Sequence, residues 1–131
     1  MWDLDEDAWF SDGLVLLDFE GEQIEIVHQR FDDLSITWNT VDVTQPLDWA
    51  EEGFRLGWRE DAPGELAALK GQRLRGVELL EWADQDMAQG MVAVNFTFPN
   101  GQVTIYNALD ENGMEFDSPD PRYARHKLDR P

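Results

Sequence analysis

The stretch Gly90-Met91-Val92-Ala93-Val94-Asn95-Phe96-Thr97, continued by Gln102-Val103-Thr104-Ile105-Tyr106-Asn107 and Glu111-Asn112-Gly113-Met114-Glu115-Phe116, decides the fold because its pattern occurs twice. The earlier copy runs Gly13-Leu14-Val15-Leu16-Leu17-Asp18-Phe19-Glu20-Gly21, then Gln23-Ile24-Glu25-Ile26-Val27-His28, then Asp32-Asp33-Leu34-Ser35-Ile36. Gly13 and Gly90 stand 77 positions apart, and Gln23 and Gln102 stand 79 apart, so the copies differ only at a turn. One matching hairpin arises by chance, since alternating patterns resemble each other. Three strands and two turns in the same order point to duplication or structural pseudo-symmetry. Solenoids need three or more stacked units, so two copies point to a pseudo-twofold sheet.

Each copy reads as three antiparallel strands. Val15, Leu17 and Phe19 alternate with Leu16, Asp18 and Glu20, and a period of two puts the first set on the core face. Val92, Val94, Phe96 and Phe98 repeat that phase, and Ile24 and Ile26 match Val103 and Ile105. Pro99-Asn100-Gly101 supplies a hairpin turn with a positive-φ residue, and Glu20-Gly21-Glu22 a looser one. Asp110-Glu111-Asn112-Gly113 turns the chain into Met114 and Phe116, as Asp32-Asp33 does before Leu34, Ile36 and Trp38.

A connector covers residues 40–83. Thr44 to Glu52 predicts one capped helical turn with Pro46 near its start, and Phe54, Leu56 and Trp58 alternate as a strand. Ala62 to Gly71 predicts a short helix stopped by Gly71. Arg73 to Trp82 predicts a strand with Val77 and Leu79 on one face and Leu80 and Trp82 on the other. A strand apolar on both faces is central or covered by a helix. The expected fold is α+β, mostly β: a curved antiparallel sheet or partly open barrel with a pseudo-twofold repeat and one or two short helices. It is a single domain over 1–131, with copies at about 13–38 and 90–118 and a tail at 119–131.

A chain of 131 residues buries roughly two-thirds of its unfolded surface, enough for a core without staples. Its hydrophobic fraction of 42% is too high for a disordered acidic tail. The 10 Lys and Arg against 28 Asp and Glu leave a formal charge of -18, which repels nucleic acid phosphates and anionic lipid. No apolar run spans a membrane, and Met1-Trp2-Asp3-Leu4-Asp5-Glu6-Asp7 is the opposite of a basic leader. The absence of cysteine excludes thiolate chemistry and agrees with a reducing compartment, so a cytoplasmic location is expected. Residues 1–61 carry 17 acids and 3 bases, whereas 62–131 carry 11 and 7. Arg122, Arg125, Lys127 and Arg130 lie in the tail, read as a frayed terminus rather than as a strap folded onto the acidic face.

Enzymatic motifs are missing: there is no nucleophile elbow, Walker loop or dinucleotide fingerprint. No catalytic, cofactor-binding or metal-binding residues are assigned. Asp3, Asp5 and Asp7 alternate without the Gly and later Glu of a calcium loop, and Asp110 to Glu115 reads as a plain turn. His28 falls on the core phase where the second copy carries Asn107, which points to a hydrogen bond at a strand end. Trp2, Trp9 and Trp49 stand among Asp3, Asp5, Asp7, Asp48, Glu51 and Glu52. These nine residues form the candidate partner-binding set. Aromatic anchors ringed by carboxylates suit a basic protein groove, the rings filling pockets and the charges steering encounter. The bland alternative is that they staple loops to the sheet.

The run Asn95 to Gly113, a strand, turn, strand and Asn-Ala-x-Asp bend, resembles small bacterial acidic β-rich proteins, some of which resemble the immunity partners of polymorphic toxins. The resemblance covers about a quarter of the chain and carries over no residue roles. It implies a binding module that blocks a basic partner, a nuclease toxin foremost. A DNA-mimic inhibitor of a defence nuclease shares that physics. The other class is a structural or self-associating β domain, a homodimer included, and an enzyme built around His28 comes third.

Overall fold

A computed structural model of the chain describes residues 1–19, 21–29, 33–45, 55–60, 63–108 and 111–128. Among these the strands are β1 (Trp2–Asp3), β2 (Ala8–Trp9), β3 (Val15–Phe19), β4 (Glu22–Gln29), β5 (Asp33–Trp38), β6 (Leu56–Gly57), β7 (Gly76–Trp82), β8 (Val92–Phe98), β9 (Gly101–Asn107), β10 (Asn112–Glu115) and β11 (Tyr123–Lys127), with one short helix, α1 (Gly64–Ala67). They form three antiparallel sheets in the orders β3-β4-β5, β10-β9-β8-β7-β11 and β2-β1-β6. Both expected three-strand units are present as consecutive meanders. They belong to separate sheets, so the single curved sheet is replaced by a layered arrangement, with no closed barrel among the described residues.

Alternation explains the layering. In β3 and β4, Val15, Leu17, Ile24 and Ile26 point the same way and pack on Val94, Phe96, Val103 and Ile105 from β8 and β9. Phe19 stacks on Phe96 at 5.7 Å and on Phe98 at 6.4 Å between ring centroids, closing one end of the interface. Each such side chain contributes about 1.5–3 kcal/mol by leaving water, so this shared face is the main stabilising element. Leu66 and Leu69 cap it from α1 and the turn after it. Gly101 has φ 143°, and a Cβ there would stand 2.7 Å from Leu69 Cδ2, so the hairpin turn demands glycine on both counts.

Several expectations need correcting. Trp38 shares the core phase of Leu34 and Ile36, yet at the end of β5 it is 59% exposed. Strand β7 needs no such correction: Leu80 is fully buried on its other face, and the strand is central, flanked by β8 and β11, one of the two expected settings. Strands β10 and β11 occupy opposite edges of the five-stranded sheet, so the connecting residues 116–122 must cross its outer face. The tail is not frayed over 123–127: β11 pairs with β7 from Tyr123↔Trp82 to Lys127↔Glu78. Arg125 bonds Glu78 and Arg122 bonds Asp84, so the tail is anchored on the second half of the chain and not on the acid-rich residues 1–61 of the strap alternative. The Phe54–Trp58 strand is described only as β6, and Phe54 with most of the 44–52 helical turn lies outside the described residues. Among the described residues no helix is long and apolar enough to cross a membrane.

Candidate functional site

The N-terminal ribbon places five of the nine candidate residues together. Strand β1 pairs with β2 through Trp2↔Trp9 and Asp3↔Ala8, and with β6 through Trp2↔Gly57 and Asp3↔Leu56. Asp3 is turned inward: its Oδ1 accepts the amides of Asp5 and Glu6 at 3.0 and 3.1 Å, tying the turn that joins β1 to β2. Trp9 packs against the main core, so it acts as the staple of the bland alternative. The Trp2 indole donates to Asp7 at 3.0 Å, and the Arg59 guanidinium lies 4.6 Å over its ring. The Trp2 hydrogen bond, followed by the charge and hydrogen bond of Arg59, holds the Asp7 carboxyl below its ordinary range. Arg55 Nε bonds Asp5 at 2.8 Å and Arg59 bonds Asp7 at 2.7 Å. What faces solvent is the turn itself, Leu4-Asp5-Glu6-Asp7, with its two arginine partners beside it. Asp48, Trp49, Glu51 and Glu52 lie outside the described residues.

A second feature was not foreseen from the sequence. On the outer face of the five-stranded sheet, the crossing segment and the strand ends enclose a cleft of about 350 Å³. Trp82, Tyr106 and Tyr123 wall it, Thr104 lies on its floor, and Glu115 and Asp120 sit at its edge. Trp82 meets Tyr123 edge to face at 5.0 Å, and its indole nitrogen donates to Asp86 at 2.9 Å. Tyr106 lies across Gly113, its partner on β10, and a Cβ at Gly113 would overlap the phenol ring. Glycine is therefore what lets the ring lie flat over the strand. Burial pushes both tyrosine phenols up, and the Glu115 charge adds to it in each case. Asp120 is held at about 2 by its hydrogen bonds to Arg122, whose guanidinium forks onto it at 3.0 and 2.8 Å.

Two buried polar clusters hold the frame. Asn112 is 2% exposed and bridges the two meanders: its Oδ1 accepts the His28 amide at 2.7 Å and its Nδ2 donates to the Gly13 carbonyl. The His28 ring faces Asp12 at 3.3 Å. The sequence placed the polar clamp on His28 and Asn107; Asn112, read as a turn residue, makes the bond to the β4 backbone. On the outer face of β4, Glu25 is 1% exposed. It accepts from Thr37 at 2.6 Å, Gln23 at 3.0 Å, the Thr40 amide at 3.2 Å and the Thr40 hydroxyl. Burial drives that carboxyl up, but the hydrogen bonds outweigh it and bring it to about 2. A polar residue in the middle of an alternating strand gave no hint of this network.

Among the described residues, no three His, Asp or Glu side chains converge as metal ligands would. Comparison of the chain with protein-family models, with curated proteins and with solved structures finds no match. The chemistry therefore has to be argued from the surface itself. That surface offers carboxylates, aromatic rings and arginines already engaged with acids.

Proposed function

We propose that this chain is an acidic binding protein of the cytoplasm that neutralises a basic protein partner, as an immunity protein occludes a nuclease toxin. The observation that carries this reading is where the charge lies. Arg55, Arg59, Arg122 and Arg125 are each engaged by a carboxylate within the fold, and the exposed Arg73, Arg75 and Lys127 are few against the acids. Among the described carboxylates only Asp3 and Glu25 are buried, so most of the described acids face solvent in a chain whose formal charge is -18. Such a field speeds encounter with a basic surface and weakens as salt rises, with a Debye length of about 8 Å at physiological ionic strength. Asp5, Glu6 and Asp7 on the ribbon turn occupy positions where a nuclease would hold phosphates. Leu4, 50% exposed beside them, supplies apolar contact. The two meanders are, in this reading, copies of one unit that serves as the scaffold, and most of the acidic excess of residues 1–61 lies outside the first copy.

The test is capture by the tagged chain from extract of its native host, washed at low salt and eluted by raising it. A basic nuclease enriched in the eluate, and lost when Asp5, Glu6 and Asp7 become Asn, Gln and Asn, is the expected result. Recovery of the chain alone at every salt concentration overturns the reading and leaves the self-associating domain.

A further inference from the structure

The cleft on the outer face combines flat aromatic walls with negative charge, and two of its lining residues, Trp82 and Asp120, already hold a guanidinium from the chain itself. Arg122 lays its guanidinium 4.6 Å over the Trp82 ring while Nε and one terminal nitrogen fork onto the two oxygens of Asp120. Ring and carboxylate together satisfy the flat face and the edge of the same cation. The cleft itself, lined also by Tyr106, Tyr123 and Glu115, offers the same elements, rings beside a carboxylate. No described residue donates to Glu115.

We propose that this cleft receives another guanidinium, presented by an arginine side chain of a basic protein partner. The inference rests on the basic-partner reading and names the anchor such a partner would insert. Tyr106 and Tyr123 provide faces for stacking, and Glu115 provides the edge-on acceptor. The volume of about 350 Å³ admits one extended side chain. An anion is disfavoured by the Glu115 and Asp120 carboxylates that line the cleft. On the same face, Asn95 is wholly buried and its Nδ2 donates to Thr104 at 2.9 Å. Its Oδ1 has no partner among the described residues but is sealed beneath the surface, so Asn95 supports Thr104 and does not itself line the cleft. Arginine is favoured over lysine because a planar fork uses ring and carboxylate at once, whereas an ammonium is a hydrated point charge.

The experiment is a two-dimensional NMR titration of the full chain with N-acetyl-arginine amide, N-acetyl-lysine amide and N-acetyl-norleucine amide. The arginine amide is expected to shift the Trp82 indole N–H and the amides of residues 104–106, 118, 120, 122 and 123 saturably. The lysine amide should act more weakly, and the norleucine amide not at all. Glu115→Gln should weaken the arginine amide roughly fivefold, as loss of one partly exposed charge pair does, and Glu60→Gln, an exposed carboxylate outside the cleft, should not. Absence of saturable shifts overturns the proposal, as do equal shifts from the norleucine amide or equal effects of the two substitutions. Shifts with the arginine amide but no captured basic protein would support the cleft chemistry and sink the partner reading. A captured basic partner that binds Glu115→Gln as tightly as the parent chain would sink the cleft inference and leave the partner reading standing.

Discussion

Replacing Glu25 by glutamine removes a charge from the best-satisfied carboxylate in the molecule while keeping its shape. Glu25 receives Thr37, Gln23 and both donors of Thr40, so the network ties β4 to β5 and to the chain leaving β5. A glutamine keeps one oxygen for the threonines but turns an NH₂ toward the Gln23 NH₂, two donors facing each other. The carboxyl lies at about 2 in the fold against 4.5 when free. At about 1.36 kcal/mol per unit, that displacement is linked to roughly 3 kcal/mol. Glu25 is roofed only by neighbouring side chains on an outer face, so solvent screening lowers the expected loss to about 1–2 kcal/mol. Because the folded value is depressed, the stabilisation is complete above the unfolded value of 4.5 and is lost as pH falls toward about 2. Urea unfolding followed by tryptophan fluorescence, run on both proteins from pH 7 to pH 2, measures this. The gap between parent and Glu25→Gln should be constant above pH 5.5 or so and close below 4.5. A gap independent of pH across that range, or no gap at pH 7, would refute the reasoning.

Other substitutions probe separate parts of the structure. Phe96→Ala opens a cavity between the two large sheets beside Phe19 and should cost about 3–5 kcal/mol by denaturant unfolding. Asn112→Ala leaves the His28 amide and the Gly13 carbonyl without their shared partner and should cost about 2–3 kcal/mol, with faster hydrogen exchange at His28 as the specific sign. Gly113→Ala pushes the Tyr106 ring off the strand, so the chain should lose the arginine-amide shifts while near-native sheet signals remain in circular dichroism. Arg59→Ala releases an exposed pair and a stacked cation and should change stability by less than about 1 kcal/mol, yet raise the accessibility of Trp2 to a neutral quencher.

The core was legible because it obeys a period of two. Val15, Leu17, Ile24, Ile26, Val94, Phe96, Val103 and Ile105 all lie where alternation put them. The turns were legible because Gly101 and Gly71 carry the positive φ those bends require. What alternation could not show is how the meanders associate, since a face that packs on a second sheet and one that curls into a barrel have the same pattern. Strand β11 was missed because charges dominate it; Arg125 faces outward onto Glu78, which an edge strand tolerates. The cleft was invisible for a related reason: Trp82 on β7, Tyr106 on β9, Glu115 on β10 and Asp120 on the crossing segment are gathered only when residues 116–122 cross the sheet. The ribbon was half legible, for the acidic turn is exposed as its composition implied, whereas Asp3 and Trp9 serve the fold.

The central claim is that the acidic surface occludes a basic nuclease, and the direct measurement is a titration of that captured nuclease with the chain. Loss of nucleic acid cleavage should be stoichiometric at one chain per nuclease at low salt, and weaker as salt rises and when the Asp5, Glu6 and Asp7 charges are removed. Cleavage that continues unchanged at saturating chain, or inhibition indifferent to both salt and those charges, would contradict the account.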